Sequence, residues 1–90
     1  MEFESDEEKR RLNLDKLGVD LLRAARISRG KIVTMPDLRF DYGEERFLSI
    51  GMVEDEILVV VHTERAGKIR LISARKGGRK DRARYSKSNT

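Results

Sequence analysis

Residues 45–76, ERFLSIGMVEDEILVVVHTERAGKIRLISARK, decide the fold. They read as three antiparallel strands, about 46–53, 56–63 and 68–75, with turns at Glu54-Asp55 and around Arg65-Ala66-Gly67. The run Ile57-Leu58-Val59-Val60-Val61 is apolar at consecutive positions, which marks a central strand covered on both faces. Phe47, Leu48, Ile50, Met52, Ile69, Leu71 and Ile72 complete the sheet from either side. Polar residues gather near the strand ends: Glu45, Arg46, His62, Glu64, Arg65, Arg70, Ser73 and Arg75. A site on this chain is expected on that sheet or at its rim.

Working outward towards the N-terminus, residues 36–44 form a loop rich in Asp, Pro and Gly, and residues 31–35 form a β-branched strand halted by Pro36. Asp20 can cap a short helix over about 21–28, ended by Gly30. Before it, Ser5-Asp6-Glu7-Glu8 has the S-x-x-E form of a capping box. The spacing predicts a helix over about 6–16, anchored by Leu12 and closed by Gly18. Glu2-Phe3-Glu4 reads as an edge strand. On the C-terminal side Gly77-Gly78 breaks the last strand, residues 79–85 form a short basic helix, and 86–90 read as frayed. The order is β-α-α-β-β-β-β-α. This is the α+β class: a mostly antiparallel sheet with its helices on one face. Residues 1–90 are expected to be one domain, with 78–90 as a basic C-terminal helix and tail.

The chain has 90 residues, 38% hydrophobic and 40% charged, and no cysteine. Disulfides and thiolate metal sites are therefore excluded, and a reducing cytoplasm is compatible. No apolar run reaches membrane-spanning length and no signal-peptide pattern opens the chain. The charge is unevenly spread. Residues 1–20 carry seven acids and four bases, whereas residues 65–90 carry ten bases and one acid, Asp81. A one-sided basic end is the footprint of a polyanion partner, or else a solvated tail.

Beyond these patterns, the chain resembles the BrnT family, small ribonuclease toxins of bacterial type II toxin–antitoxin pairs. The resemblance begins with Phe3, Asp6, Lys9, Asn13 and Lys16-Leu17-Gly18-Val19. It continues through Asp41, Glu45-Arg46 and Gly51 to Val60-Val61-His62-Thr63-Glu64-Arg65. It ends with Ile69-Arg70, Ile72-Ser73-Ala74-Arg75-Lys76 and Tyr85. The I-S-A-R-K end of a hairpin that begins V-H-T-E-R is its most specific part. The resemblance implies a RelE-like fold and cleavage of RNA that arrests translation and growth. It also implies a BrnA-like antitoxin with a ribbon-helix-helix DNA-binding domain, and a heterotetramer of the pair that binds operator DNA through the antitoxin and represses its own operon. The chain departs from the family pattern at three places. Ser5 stands before Asp6 where the family has Trp, Leu17 stands where it has His, and Phe40 or a neighbour stands where it often has a loop His. The alternative reading is a catalytically weakened relative that binds antitoxin or nucleic acid without cleavage.

RNA cleavage without metal has the ribose 2′-OH attack the adjacent phosphate. It needs a base, an acid for the leaving 5′-oxygen, and positive charge on the phosphate. With one histidine and no cysteine, no metal or other cofactor is expected. The catalytic candidates are His62, Arg65, Arg75, Glu45 and Arg46, and the RNA-binding candidates are Lys16, Arg70, Lys76, Arg79, Arg82 and Tyr85. His62 is the sole imidazole and titrates nearest neutrality; a partly buried histidine making one hydrogen bond is its structural alternative. Arg65, Arg70 and Arg75, on adjacent strands at the hairpin, have the planar fork that suits phosphate. Salt bridges to Glu45, Glu64 or the first helix would explain them equally. Glu45 can orient an arginine, act as a base, or form a surface pair with Arg46. Lys16 suits phosphate or a helix C-terminus. Tyr85 can stack on a base or pack its helix on the sheet.

Overall fold

Two tight turns with positive φ at both central residues, Glu54-Asp55 (50° and 67°) and Ala66-Gly67 (53° and 77°), set the register of the sheet. Such turns carry the twist that antiparallel strands need. The computed structural model describes residues 2–39 and 41–87. The chain runs β1 (Glu2–Glu4), α1 (Glu7–Leu17), α2 (Leu21–Ala24) continued by a 3₁₀ turn (Ala25–Arg29), then β2 (Val33–Pro36), β3 (Phe47–Val53), β4 (Glu56–Arg65), β5 (Lys68–Lys76) and α3 (Arg79–Lys87). The strand order is β1-β5-β4-β3-β2. The β2–β3, β3–β4 and β4–β5 pairs are antiparallel, while β1 runs parallel to β5, so this α+β sheet is mixed.

Alternation along the strands assigns two faces. The first carries Ser49, Gly51, Val53, Leu58, Val60, His62, Leu71 and Ala74, and α1 and α2 cover it. Val19, Leu21, Ala24 and Ile27 supply the helical half of that core. The 3₁₀ turn approaches β3 so closely that a Cβ on Gly51 would lie 2.5 Å from the Ile27 Cβ. The second face carries Leu48, Ile50, Met52, Ile57, Val59, Val61, Ser73 and Arg75. Pairing steps from Val61–Ser73 to His62–Leu71, which makes Ile72 the extra residue of a bulge. A bulge changes the alternation by one position, so Arg70 and Arg75 both fall on the second face.

The helices do not all lie on one face. The helix α3 sits against the second, where Arg84 Nη1 meets Met35 Sδ at 3.1 Å and Arg75 Nη1 meets Asp81 Oδ2 at 2.8 Å. Gly77-Gly78 lets the chain leave β5 and cross over, and the Gly78 amide donates to Asp81 Oδ2 at 2.8 Å. Apart from residues 88–90, which lie outside the described residues, the expected frayed end at 86–90 is helix: Ser86 and Lys87 belong to α3.

Two details of α1 also differ from expectation. Its N-cap is Asp6, not Ser5, because the Asp6 carboxylate accepts from the Glu8 amide at 2.8 Å. Ser5 instead lies between β1 and the cap, outside both elements. Its anchor is Asn13, 7% exposed, whereas Leu12 is 43% exposed. Asn13 Nδ2 donates to the Val19 and Ala74 carbonyls (2.7 and 2.9 Å), and its Oδ1 accepts from the Ala74 amide at 3.1 Å. One amide side chain thus ties α1 to the α1–α2 loop and to β5. The Gly18 cap has φ of 72°, and Asp20 caps α2 through the Leu22 amide. None of the described helices is long and apolar enough to cross a membrane.

Candidate nucleic-acid interface

The strand register divides the sequence-derived candidates between the two faces. His62 pairs with Phe47 and lies on the first face, under the helices. It is 8% exposed, its Nε2 is hydrogen-bonded to Ser49 Oγ at 2.7 Å, and Ser49 Oγ is in turn 2.8 Å from Thr34 Oγ1. The Phe47 ring stacks beside the imidazole at 5.8 Å. Burial pushes the His62 pKa below its ordinary value, against the opposing pull of Glu64. These contacts favour a neutral ring held within the core layer.

Arg46, Arg65, Arg70 and Arg75 belong to the second face. Arg46 precedes Phe47 and so points away from it. Arg65 is opposite Lys68, Arg70 is opposite Thr63, and Arg75 is opposite Val59. Glu44 gathers one end of this stripe, with Oε2 3.1 Å from Arg46 Nε and Oε1 3.7 Å from Arg65 Nη2. Asp81 holds the other end at Arg75. Burial raises the Asp81 pKa, but the Arg75 bond and the Gly78 amide outweigh it and hold the carboxyl below its usual range. Arg75 is not at the β4–β5 hairpin with Arg65. Six residues of strand lie between it and Lys68, a span of roughly 20 Å at the rise of a β-strand.

The remaining candidates are dispersed. The Glu45 side chain is exposed, while its carbonyl accepts from Thr63 Oγ1 at 2.6 Å. Lys16 is exposed in the last turn of α1, on the helix-covered side of the sheet. Lys76 is 3.7 Å from Glu56, which also holds Arg23 at 2.8 Å. Arg79 and Arg82 are exposed on α3. Tyr85 fastens α3 to the segment that leads into β2: its hydroxyl donates to the Lys31 carbonyl at 3.2 Å, and Lys31 Nζ donates back to the Tyr85 carbonyl at 2.6 Å. Leu17, in the slot of the family histidine, is exposed. Phe40 lies outside the described residues.

Sequence reasoning passed over Asp37, Tyr42 and Glu44. The Asp37 side chain is fully buried and accepts from Arg39 Nε and Nη2 (2.8 and 3.0 Å), from the Arg39 amide (3.2 Å) and from the Tyr42 hydroxyl (3.2 Å). The Arg39 guanidinium holds its pKa down at about 2, aided by that amide and hydroxyl and opposed by burial. The only sequence signal was a D-x-R spacing in a loop, which is common. Among the described residues no group of three or more His, Cys, Asp or Glu stands together as a metal site.

The fold and this face define a small α+β protein that presents a row of guanidinium groups on a largely apolar sheet face. Comparison with known families makes that class specific. The family model of the ribonuclease toxin BrnT of type II toxin–antitoxin systems matches residues 6–81, and the chain belongs to that family. Its fold and function class are therefore those of a ribonuclease toxin that works with an antitoxin. No curated protein matches the sequence.

Proposed function

We propose that this protein is a RelE-like, metal-independent endoribonuclease that acts in the cytoplasm, binding RNA along the second face of its sheet. The observation that carries this reading is the shared orientation of Arg46, Arg65, Arg70 and Arg75 on the face that α1 and α2 leave free. Four guanidinium groups along one face offer several separate phosphate contacts to an extended strand. Exposed Arg79 and Arg82 on α3 extend the positive surface.

The reaction that suits this face is transesterification. The 2′-oxygen bonds to phosphorus, the P–O5′ bond breaks, and the products are a 2′,3′-cyclic phosphate and a 5′-hydroxyl. Arginines stabilise the extra negative charge on the pentacoordinate phosphate. The carboxylates of Glu44 and Glu45 stand at one end of the stripe, within the region where a base would serve. His62, behind the sheet, acts on the fold rather than on RNA.

A BrnA-like ribbon-helix-helix antitoxin is the partner in this reading. Its acidic segment covers the same face, which couples neutralisation to repression of the operon by the heterotetramer. The burial of the sole histidine and the exposed Leu17 favour a second reading, an antitoxin-binding relative with weakened cleavage.

A labelled single-stranded RNA incubated with the protein in EDTA separates them. Cleavage to cyclic-phosphate ends that Arg46→Ala with Arg65→Ala abolishes and His62→Gln spares supports the first reading. RNA binding without cleavage supports the second.

A further inference from the structure

Arg46 lies at the centre of a closed set of contacts that begins and ends on the same loop. Its carbonyl accepts from the Asp37 amide at 2.8 Å. The Asp37 carboxylate accepts from the Tyr42 hydroxyl at 3.2 Å. The Tyr42 ring lies under the Arg46 guanidinium, 4.0 Å from ring centroid to Cζ. Glu44 then takes Nε at 3.1 Å. Backbone and guanidinium of one arginine are therefore both tied to Asp37, the backbone directly through the Asp37 amide and the guanidinium indirectly through the Tyr42 ring that the Asp37 carboxylate holds. An arginine of four rotatable bonds loses much conformational entropy when it is ordered on binding. One that is already ordered does not lose it again. Stacking engages the face of the guanidinium and leaves the in-plane N–H groups to acceptors.

We infer that Asp37 and Tyr42 are positioning residues that pre-set the Arg46 guanidinium for a phosphate of the RNA backbone. The inference rests on the proposed binding face and adds to it the loop that organises one end. Asp37 anchors, Tyr42 supplies the platform, and Glu44 fixes the rotation about the ring. Neither Asp37 nor Tyr42 needs to touch RNA.

The test is a double-mutant cycle on the affinity for a labelled single-stranded RNA, with Tyr42→Leu and Arg46→Ala made singly and together. Tyr42→Leu is expected to weaken binding roughly 3- to 10-fold, the range of a lost cation–π contact and its ordering. In the Arg46→Ala background the same change is expected to cost nothing further. Tyr42→Phe, which keeps the ring and loses the tether to Asp37, is expected to fall between wild type and Tyr42→Leu. The ring-current shift of the Arg46 side-chain resonances gives an RNA-independent readout: it persists in Tyr42→Phe and disappears in Tyr42→Leu. Equal losses from Tyr42→Leu in both backgrounds, with Arg46→Ala itself harmful, would overturn the positioning role alone. An Arg46→Ala protein that binds RNA as wild type does would overturn the binding face and the inference with it.

Discussion

Asn13 joins three segments through one amide, and its neighbours give no hint of it. Flanked by Leu12 and Leu14 on a helix, it occupies a position that hydropathy assigns to solvent, yet both leucines are exposed and Asn13 is buried. The reason is polar: the Ala74 amide and carbonyl need partners under α1, and only a side chain with both a donor and an acceptor supplies them. Asn13→Leu, which keeps the branched shape and heavy-atom count and loses all three bonds, is expected to destabilise the fold by about 2–4 kcal/mol, read by urea or thermal unfolding. His62 was legible as the sole imidazole but not as a core residue, because its place on β4 leaves open which face it takes until the register is known. Its pH effect follows from burial. The folded state favours the neutral ring, so the folded pKa lies below the ordinary 6.5. The stability this contributes is complete above about pH 6.5 and is lost as pH falls through the folded value. The melting temperature of the wild type is therefore expected to fall between pH 7.5 and 5.5, and that fall should be smaller in His62→Gln.

At the scale of elements the hairpins were the most legible, because β-branched runs separated by short turns specify the strands and their antiparallel pairing. The turn at Ala66-Gly67 is a residual strain: alanine adopts φ of 53°, a region that asparagine tolerates better. Ala66→Asn is expected to stabilise the protein by about 0.5–1 kcal/mol without altering the sheet, and a rise in melting temperature with unchanged far-ultraviolet circular dichroism would check it. Less legible were the 3₁₀ continuation of α2 and the side taken by α3. Residues 21–28 have the composition of a helix, but the close approach of Ile27 to Gly51 tightens the second half. Residues 79–87 contain one aromatic and few apolar groups, so periodicity cannot say where they pack. Polar tethers decide it, namely Arg75 to Asp81 and Lys31 to Tyr85. Such pairings between distant residues leave no trace in the local pattern.

For the whole molecule, the consequence of the topology is a division of labour between two sides of one sheet. The first side is a core, closed by α1 and α2 and containing the histidine. The second is a partly open face on which arginines from β4, β5 and the start of β3 align. The residues of the arginine face were legible as candidates in the sequence, since Arg46, Arg65, Arg70 and Arg75 all stand among the basic residues singled out there. The geometry of that face was not, because a single bulge at Ile72 determines that Arg70 and Arg75 share a face. The measurement that tests this division most directly compares two variants of equal charge change. Arg70→Gln with Arg75→Gln removes two charges from the second face; Arg11→Gln with Arg29→Gln removes two from the helical side. The first pair is expected to weaken binding of single-stranded RNA at least about tenfold and to reduce its salt dependence by about two phosphate contacts, while the second pair binds within about twofold of wild type. Equal losses from both pairs, or a larger loss from the helical side, would contradict the account.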